Sequence, residues 1–437
     1  MTTARELIAG LAGTFTELPV AGGEPDDPIG WPGYPAARAA AAERTGETES
    51  VVVGEARVGD VPAVLIAWEF GFLGGSVGQQ TGDRIEAAFT RARDRNLPVV
   101  SLLATGGSRM QHGMRALSQL QRIARASAAA RADGVAQLSV LRNPTTGGGW
   151  ATLGAGSDVT LGMPLAQVGF AGSRVRPATS PSAAYTAEAK LEWGQLDSLV
   201  EPDELNEVVT RWLQLLTSRS TEPAPPPNAL RAASLPETGW DAVQAARAST
   251  RPRAAEYLDA YFDWREGVQG DRAGGVDAGV LCGFGWRDGR ALAYAAQCGT
   301  ATRPAGFRTA ARLVRTASRL GIPVLTLVDT PGAANDAEAE QAGVGPAIAE
   351  LFEAMAAATV PITSLVIGEG GSGGALAFAA PEATWMTPDA YFSVTSPEAA
   401  AAILKRPLRD VPEIAEGLRV RPQDLVGLGL ARGIVRP

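Results

Sequence analysis

Pro144-Thr145-Thr146-Gly147-Gly148-Gly149 and Gly370-Gly371-Ser372-Gly373-Gly374 stand at matching places in the two halves of a 437-residue chain. Each follows an apolar run that reads as a buried strand, 138–141 and 362–367, and each precedes small residues able to start a helix. Successive glycines let backbone N–H groups approach a ligand closely, and a helix start adds partial positive charge. This is the build of an anion or oxyanion site made from backbone alone. Its appearance twice implies a chain that stabilises two developing negative charges.

Around these turns the halves repeat. Leu97-Pro98-Val99-Val100-Ser101-Leu102-Leu103-Ala104-Thr105-Gly106-Gly107 is matched by Ile322-Pro323-Val324-Leu325-Thr326-Leu327-Val328-Asp329-Thr330-Pro331-Gly332, with Thr105 and Thr330 225 residues apart. The later turns match at 226 residues, Gly148 to Gly374. Val58-Gly59-Asp60-Val61-Pro62 and Arg287-Asp288-Gly289-Arg290-Ala291 read as hairpin turns before apolar strands. Each half predicts strand–turn–strand, helix (81–96; 306–320), strand, glycine turn, helix (114–131; 346–358), strand, glycine turn. Strands alternating with helices, the strands being continuous apolar runs, argue for an α/β fold with covered sheets. The Pro-rich stretch 219–239 reads as a linker between domains at 1–218 and 240–437.

Composition narrows the function. Apolar content of 45% with 20% charged residues describes a globular chain, and a length of 437 residues fits two domains. A net charge of −8 argues against nucleic acid or an anionic membrane as the main partner. Lys190 and Lys405 are the only lysines, and neither sits in a motif suited to Schiff-base chemistry. Cys282 and Cys298 cannot make a structural zinc site alone, and nothing points to a disulfide framework. There is no signal-type N-terminus and no apolar run of membrane-spanning length, which points to the cytoplasm.

Three readings compete for the second turn. Gly368-x-Gly370-x-x-Gly373 fits a dinucleotide fingerprint, but the acidic residue about 20 positions on is Asp389, beside Pro388, and the match lies late in its domain. Gly370-Gly371-Ser372-Gly373-Gly374 also fits a nucleophile elbow, which needs a histidine after the serine. The single histidine, His112, precedes it. The preferred reading takes the glycines at face value, as backbone oxyanion holes.

At these residues the chain resembles the bacterial acetyl-CoA carboxylase carboxyltransferase, with β-like and α-like subunits fused. The β-like stretch carries Trp31-Pro32-Gly33-Tyr34-Pro35, Phe72-Leu73-Gly74-Gly75-Ser76-Val77-Gly78 and Gly106-Gly107-Ser108-Arg109-Met110-Gln111. It continues with Asn143-Pro144-Thr145-Thr146-Gly147-Gly148 and Val168-Gly169-Phe170-Ala171-Gly172. The α-like stretch carries Asp329-Thr330-Pro331-Gly332-Ala333, Ile367-Gly368-Glu369-Gly370-Gly371-Ser372-Gly373-Gly374-Ala375 and Ser393-Val394-Thr395-Ser396-Pro397-Glu398. The resemblance runs from about residue 30 to the C-terminus and implies duplicated crotonase-like (ClpP/crotonase ββα) domains, acyl-CoA served by 1–218 and biotin by 240–437.

The resemblance further implies the chemistry. Carboxybiotin, brought by a separate carrier protein and made by a separate biotin carboxylase, would release carbon dioxide and leave a ureido anion. That anion would take the α-proton of acetyl-CoA or another short acyl-CoA, and the enolate would capture the carbon dioxide. Gly106, Gly107, Gly147 and Gly148 would serve the thioester, and Gly332, Gly373 and Gly374 the biotin. Gly74, Gly75, Ser76, Arg109, Gly370 and Gly371 would line substrate, and Arg109 and Arg174 would either meet CoA phosphates or sit in solvated salt bridges. No covalent cofactor is implied, and at least a homodimer is.

Several residues depart from the family pattern. The zinc ribbon that usually begins the β subunit is missing, so no metal is expected; Thr105 replaces a serine, and His112 stands where a glutamate is usual, read as an exposed helix-start histidine in preference to a pH-sensitive ligand contact. Ala333-Ala334-Asn335-Asp336-Ala337-Glu338 and Gly343-Val344-Gly345-Pro346 are altered beside the expected biotin site. Two alternatives stay open: a malonyl-CoA or malonyl-carrier decarboxylase of the same fold, and a non-catalytic paralogue. A hydratase would need positioned carboxylates, and Glu369 alone sits within a glycine turn. Trp150 and Trp193 read as packing residues.

Overall fold

The computed structural model describes residues 2–19, 27–231 and 233–437; Met1 and Ala232, the latter within the expected linker, lie outside the described residues. The chain divides into two compact units, Met1–Thr217 and Ser218–Pro437. Among the described residues each unit holds one eight-stranded sheet.

In the first unit β1 (Thr14–Glu17), β2 (Val51–Val58) and β3 (Val61–Trp68) run antiparallel. The sheet continues in parallel through β4 (Val99–Thr105), β5 (Gln137–Thr146), β6 (Val159–Gly162) and β8 (Ser198–Leu199), while β7 (Val168–Gly169) extends the far end of β5. The second unit repeats this with β9 (Trp264–Val268), β10 (Val280–Arg287), β11 (Arg290–Gln297), β12 (Val324–Thr330), β13 (Ile362–Gly371), β14 (Thr384–Met386) and β16 (Gly433–Ile434). Here β15 (Tyr391–Ser393) sits on the far end of β13. The all-buried runs of β4 and β12 explain why both strands read as continuous apolar segments. Asp288 and Gly289, both at positive φ, close the β10–β11 hairpin as expected of a primed turn.

The helices appear within two residues of their expected limits. Gln79–Arg95 turns Ile85, Ala88, Phe89 and Ala92 toward the sheet at helical spacing. Its counterpart Pro304–Leu320 starts with proline and ends at Gly321, φ 72°, the ordinary stop signals. These helices, together with Met114–Ala132 and Val344–Ala356, pack in pairs, one pair per unit.

From the first long helix through the glycine turn, one offset of 225 residues relates the halves: β4 to β12, β5 to β13, and Gln79–Arg95 to Pro304–Leu320. The 226-residue match of the later turns is therefore corrected. Gly147 corresponds to Ser372, both at positive φ (66° and 58°), so Gly148 corresponds to Gly373 and Gly149 to Gly374. Both ladders also slip at the same point, pairing Leu103 with Leu141 and Thr105 with Thr145, then Val328 with Val366 and Thr330 with Gly370.

The stretch 219–239 is not a bare tether. Ala224 and Ala229 are buried in the second unit's core with Tyr257, Leu258 and Leu292. Arg290 donates to Ser220 Oγ (3.1 Å), Glu222 O (2.6 Å) and Pro223 O (2.9 Å), and the Tyr261 hydroxyl donates to Pro225 O (2.7 Å). Proline supplies carbonyls without N–H groups, so a chain so composed is held by donors from the core. Arg290→Ala is expected to speed tryptic cleavage at the exposed Arg219 by about tenfold or more, since charge-assisted bonds contribute about 1.5–3 kcal/mol. Cleavage at the wild-type rate would show that these bonds do not hold the segment.

Candidate active site in paired glycine turns

The ladder slip pushes the end of each inner strand outward, and there the two glycine turns of a unit meet. In the first unit a Cβ on Gly147 would lie 2.9 Å from the Gly107 Cα, and one on Gly75 would lie 2.1 Å from the Ala104 carbonyl oxygen. In the second, a Cβ on Gly371 would stand 2.1 Å from the Pro331 oxygen, and one on Gly374 2.4 Å from the Ala333 nitrogen. Only glycine permits these approaches.

The turns are pinned the same way in both units. Val77 N–H donates to Gly107 O (2.8 Å) and Arg109 N–H to Val77 O (2.9 Å); Thr302 N–H donates to Gly332 O (3.0 Å) and Ala334 N–H to Thr302 O (2.9 Å). Gly107, φ 104°, gives its N–H to Thr105 Oγ1 at 3.1 Å, and Gly332, φ 141°, gives its own to Thr330 Oγ1 at 3.1 Å. The sequence aligned these threonines without revealing that each is the acceptor for the glycine two residues on.

The N–H inventory separates the expected site residues. Gly106 N–H is bound to a backbone carbonyl, Gly74 O (2.9 Å), and Gly147 N–H to another, Phe170 O (3.0 Å), so these two glycines shape the turn, whereas the Gly107 and Gly332 N–H groups are engaged by side-chain hydroxyls. Gly148 stands in the first turn of its helix, as do Gly373 and Gly374, where no preceding carbonyl accepts the N–H. Each unit thus joins a first-turn N–H to a glycine N–H resting on a threonine hydroxyl: Gly148 with Gly107, and Gly373 with Gly332. The Gly374 Cα is pressed on the Gly332–Ala333 backbone, whereas a Cβ on Gly373 meets nothing within 4 Å. Gly370 packs on the Phe392 ring, which a Cβ would approach to 2.5 Å.

Arg109 is corrected. It does not face solvent or a phosphate; its side chain is fully buried and makes a bidentate pair with Glu49 (2.6 and 2.7 Å). It also donates to Ser76 O (2.9 Å) and Tyr34 Oη (3.3 Å). Ser76 and Gly75 belong to this scaffold, so the guanidinium braces the segment that pins Gly107. Burial would raise the Glu49 carboxyl, but the Arg109 guanidinium outweighs it and holds the group at about 2. His112 is likewise corrected: it is 1% exposed, with Nε2 2.7 Å from Tyr34 Oη and Nδ1 accepting from Gln79 N–H at 3.3 Å. Arg174 is exposed on the 170–182 segment, Trp150 is buried in the core, and Trp193 lies under the Lys190 ammonium at 5.1 Å.

Among the described residues no unengaged side-chain base stands beside either turn. Glu369 accepts from Arg247 Nε (2.8 Å) and the Tyr391 hydroxyl (3.0 Å), which ties it into the scaffold. Burial pushes the Cys282 thiol up to about 12 and the Cys298 thiol up to about 11, so neither is a thiolate at neutral pH. Among the described residues no three His, Cys, Asp or Glu side chains gather as a metal site, and no helix is long and apolar enough to cross a membrane. What the arrangement offers in each unit is a first-turn helix N–H beside a glycine N–H that a threonine hydroxyl holds in place.

Two family models match the chain, one after the other. Residues 34–228 match the carboxyl transferase domain family, and residues 233–437 match the acetyl co-enzyme A carboxylase carboxyltransferase-like family. The "Acetyl-coenzyme A carboxylase carboxyl transferase subunits beta/alpha" of Salinispora arenicola is 38% identical, over 97% of this chain and 80% of that protein. The "Probable biotin-dependent acyl-coenzyme A carboxylase beta3 subunit" of Mycobacterium bovis is 33% identical, over 91% of this chain and 82% of its own. The crystal structure of transcarboxylase 12S, a hexamer described with methylmalonyl-CoA bound, covers this whole chain and 87% of its own at TM-score 0.81 and 20% identity, a likeness of fold.

Two measurements test the site's construction. The Glu49 pair stabilises fully above the unfolded carboxyl value near 4.5 and is lost as pH falls toward 2. Glu49→Gln should therefore cost about 3–5 kcal/mol at pH 7, with Arg109 left unpaired. It should also flatten the stability profile between pH 4.5 and 2 by about 3 kcal/mol. Denaturant melts at several pH values with parallel slopes for both proteins would refute the pairing. Separately, Gly374→Ala should lose about 1–3 kcal/mol through its backbone clash, while Gly373→Ala, in open space at a helical position, should be as stable as wild type or slightly more so. Equal melting losses would sink this account of the second turn.

Proposed function

The chain belongs to the acetyl-coenzyme A carboxylase carboxyl transferase family, with β-type and α-type halves in one polypeptide, and from that premise we propose its reaction. It moves a carboxyl group from carboxybiotin on a separate carrier protein to acetyl-CoA or another short acyl-CoA. Carboxybiotin releases carbon dioxide and becomes the ureido anion; that anion takes the α-proton, and the enolate carbon bonds to the carbon dioxide. The products are the malonyl-type thioester and neutral biotin, so every atom and charge is accounted for.

The observation that carries this reading is the pairing in each unit of a first-turn N–H with a threonine-held glycine N–H, with no competing side-chain base among the described residues. Gly107 and Gly148 hold the thioester oxygen as the enolate forms, and Gly332 and Gly373 hold the ureido oxygen. Oriented donors of this kind contribute about 2.7–4 kcal/mol each to lowering a barrier. The base is the substrate's own ureido nitrogen, which explains why a buried His112 and an engaged Glu369 are no handicap. Acyl-CoA, the biotin carrier and the biotin carboxylase are the partners, and the working form is a homodimer or higher homo-oligomer.

The test runs the reaction backward: purified protein, malonyl-CoA and biocytin or a biotinylated carrier, following acetyl-CoA release. Biotin-dependent release is expected, with methylmalonyl-CoA ranking the acyl preference. Gly373→Val should lower the rate about 10²–10³-fold, the loss of one hole donor's worth, by putting a branched side chain into the open space beside Gly373, where a Cβ meets nothing within 4 Å. Release that ignores biotin would mean a decarboxylase, and no release under any condition would mean a non-catalytic protein.

A further inference from the structure

We propose that Gln297 is a positioning residue for the second glycine site, clamping the helix of Gly373 to the turn of Gly332; the catalytic half of this inference rests on the carboxyl transfer reading above. Gln297 ends β11 and is wholly buried. Its Nε2 donates to the Gly374 carbonyl at 3.0 Å and to Thr302 Oγ1 at 3.0 Å. Thr302 in turn pins Gly332 through its own backbone N–H, and Ala334 through its carbonyl. One side-chain amide therefore bonds the helix of Gly373 directly and reaches the turn of Gly332 through Thr302.

The Gly374 carbonyl depends on that amide. Its helix, Ser372–Leu376, has five residues, and the Phe378 N–H that a regular turn would deliver to Gly374 goes to Ala375 O at 3.0 Å. A helix this short is not self-supporting, so its position is set by what holds it from outside. The amide's orientation follows from the acceptor, because a reversed amide would set Oε1 against the Gly374 oxygen.

Stability does not account for a glutamine here. Its Oε1 is buried with no hydrogen-bond partner, which makes the residue a poorer filler than a hydrocarbon of the same shape. The duplicated half supplies the control. The matching last residue of the hairpin is Trp68, which is fully buried and bonds to neither turn. There the helical segment runs on past Gly149, the counterpart of Gly374, through Trp150–Gly154, and Thr152 Oγ1 donates to the neighbouring Gly148 carbonyl at 2.7 Å. The first unit secures its segment from within, and the second borrows a donor from the sheet.

Gln297→Met keeps the volume and removes both donors. In the malonyl-CoA and biocytin assay it should lower kcat about 10–100-fold, as a small misplacement of oriented groups does, with the malonyl-CoA KM within about twofold of wild type and thermal stability retained. In parallel, amide hydrogen exchange at 330–335 and 370–378 should accelerate about tenfold or more, while 105–110 and 146–154 stay unchanged. Unchanged exchange at both second-unit segments would overturn the clamp. A loss shared equally between kcat and the malonyl-CoA KM would overturn its assignment to the second site. Should wild type show no biotin-dependent release, the carboxyl transfer reading fails, and the exchange result alone decides whether Gln297 holds the two pieces together.

Discussion

The whole architecture turns on one steric constraint: two backbone turns must come closer than any side chain allows. The Gly371 α-carbon against the Pro331 carbonyl, and the Gly147 α-carbon against Gly107, leave no space for a Cβ. That proximity sets a first-turn helix N–H beside a loop N–H, and it is reached by making the inner ladders slip at Thr105 and Thr330. Everything outward of this, the covered parallel sheet and the paired long helices, serves to hold two strand ends rigid at that point.

The duplication shows which parts of the device are fixed and which are free. The slip leaves the residue before each pairing position out of the ladder, with a backbone nitrogen to satisfy. In the first unit that residue is Pro144, which has no N–H to lose. In the second it is Glu369, whose N–H donates to Asp329 Oδ1 at 3.1 Å. Asp329 is in turn fully buried and held by Arg251 at 2.5 and 2.7 Å and by Arg253 at 3.1 Å. The same orphan is solved once by deleting the donor and once by importing a carboxylate that then needs two guanidinium groups. The braces differ too, Arg109 with Glu49 in one half and the Gln297 amide in the other, while the threonine-to-glycine bond is common to both.

This pattern explains what the sequence made legible. Glycine positions, the threonine offset and the apolar strands are read directly, because each is a local requirement of φ, hydrogen bonding or burial. The fold class and the two turns followed from them. The one-residue error in pairing the later turns came from matching glycine to glycine, when the position shared by Gly147 and Ser372 is defined by positive φ and not by residue type. Arg109 and His112 were misjudged because a charged or polar side chain beside a motif reads as facing solvent. Their burial depends on Glu49 and Tyr34, some 60 to 78 residues away in the chain. Gln297 gave no signal at all, since a glutamine ending a strand is unremarkable until the carbonyl it serves is known.

A site built from main chain has a consequence for how such a protein diverges. Substitutions at surrounding side chains leave the donors in place so long as the close approach is kept, which is why Ala104 and Asp329, or Trp68 and Gln297, can occupy corresponding positions in one molecule. For the proposed carboxyl transfer, selectivity would then reside in residues that rim the turns without touching the donors. The altered stretch from Ala333 to Glu338 meets that description: Ala333 and Ala334 remain tied to Thr302 and to the Gly374 backbone, while Asp336 caps the short helix Ala337–Gln341 beyond them. The chemistry is thereby insulated from changes in the rim, and recognition is free to vary where the backbone is not constrained.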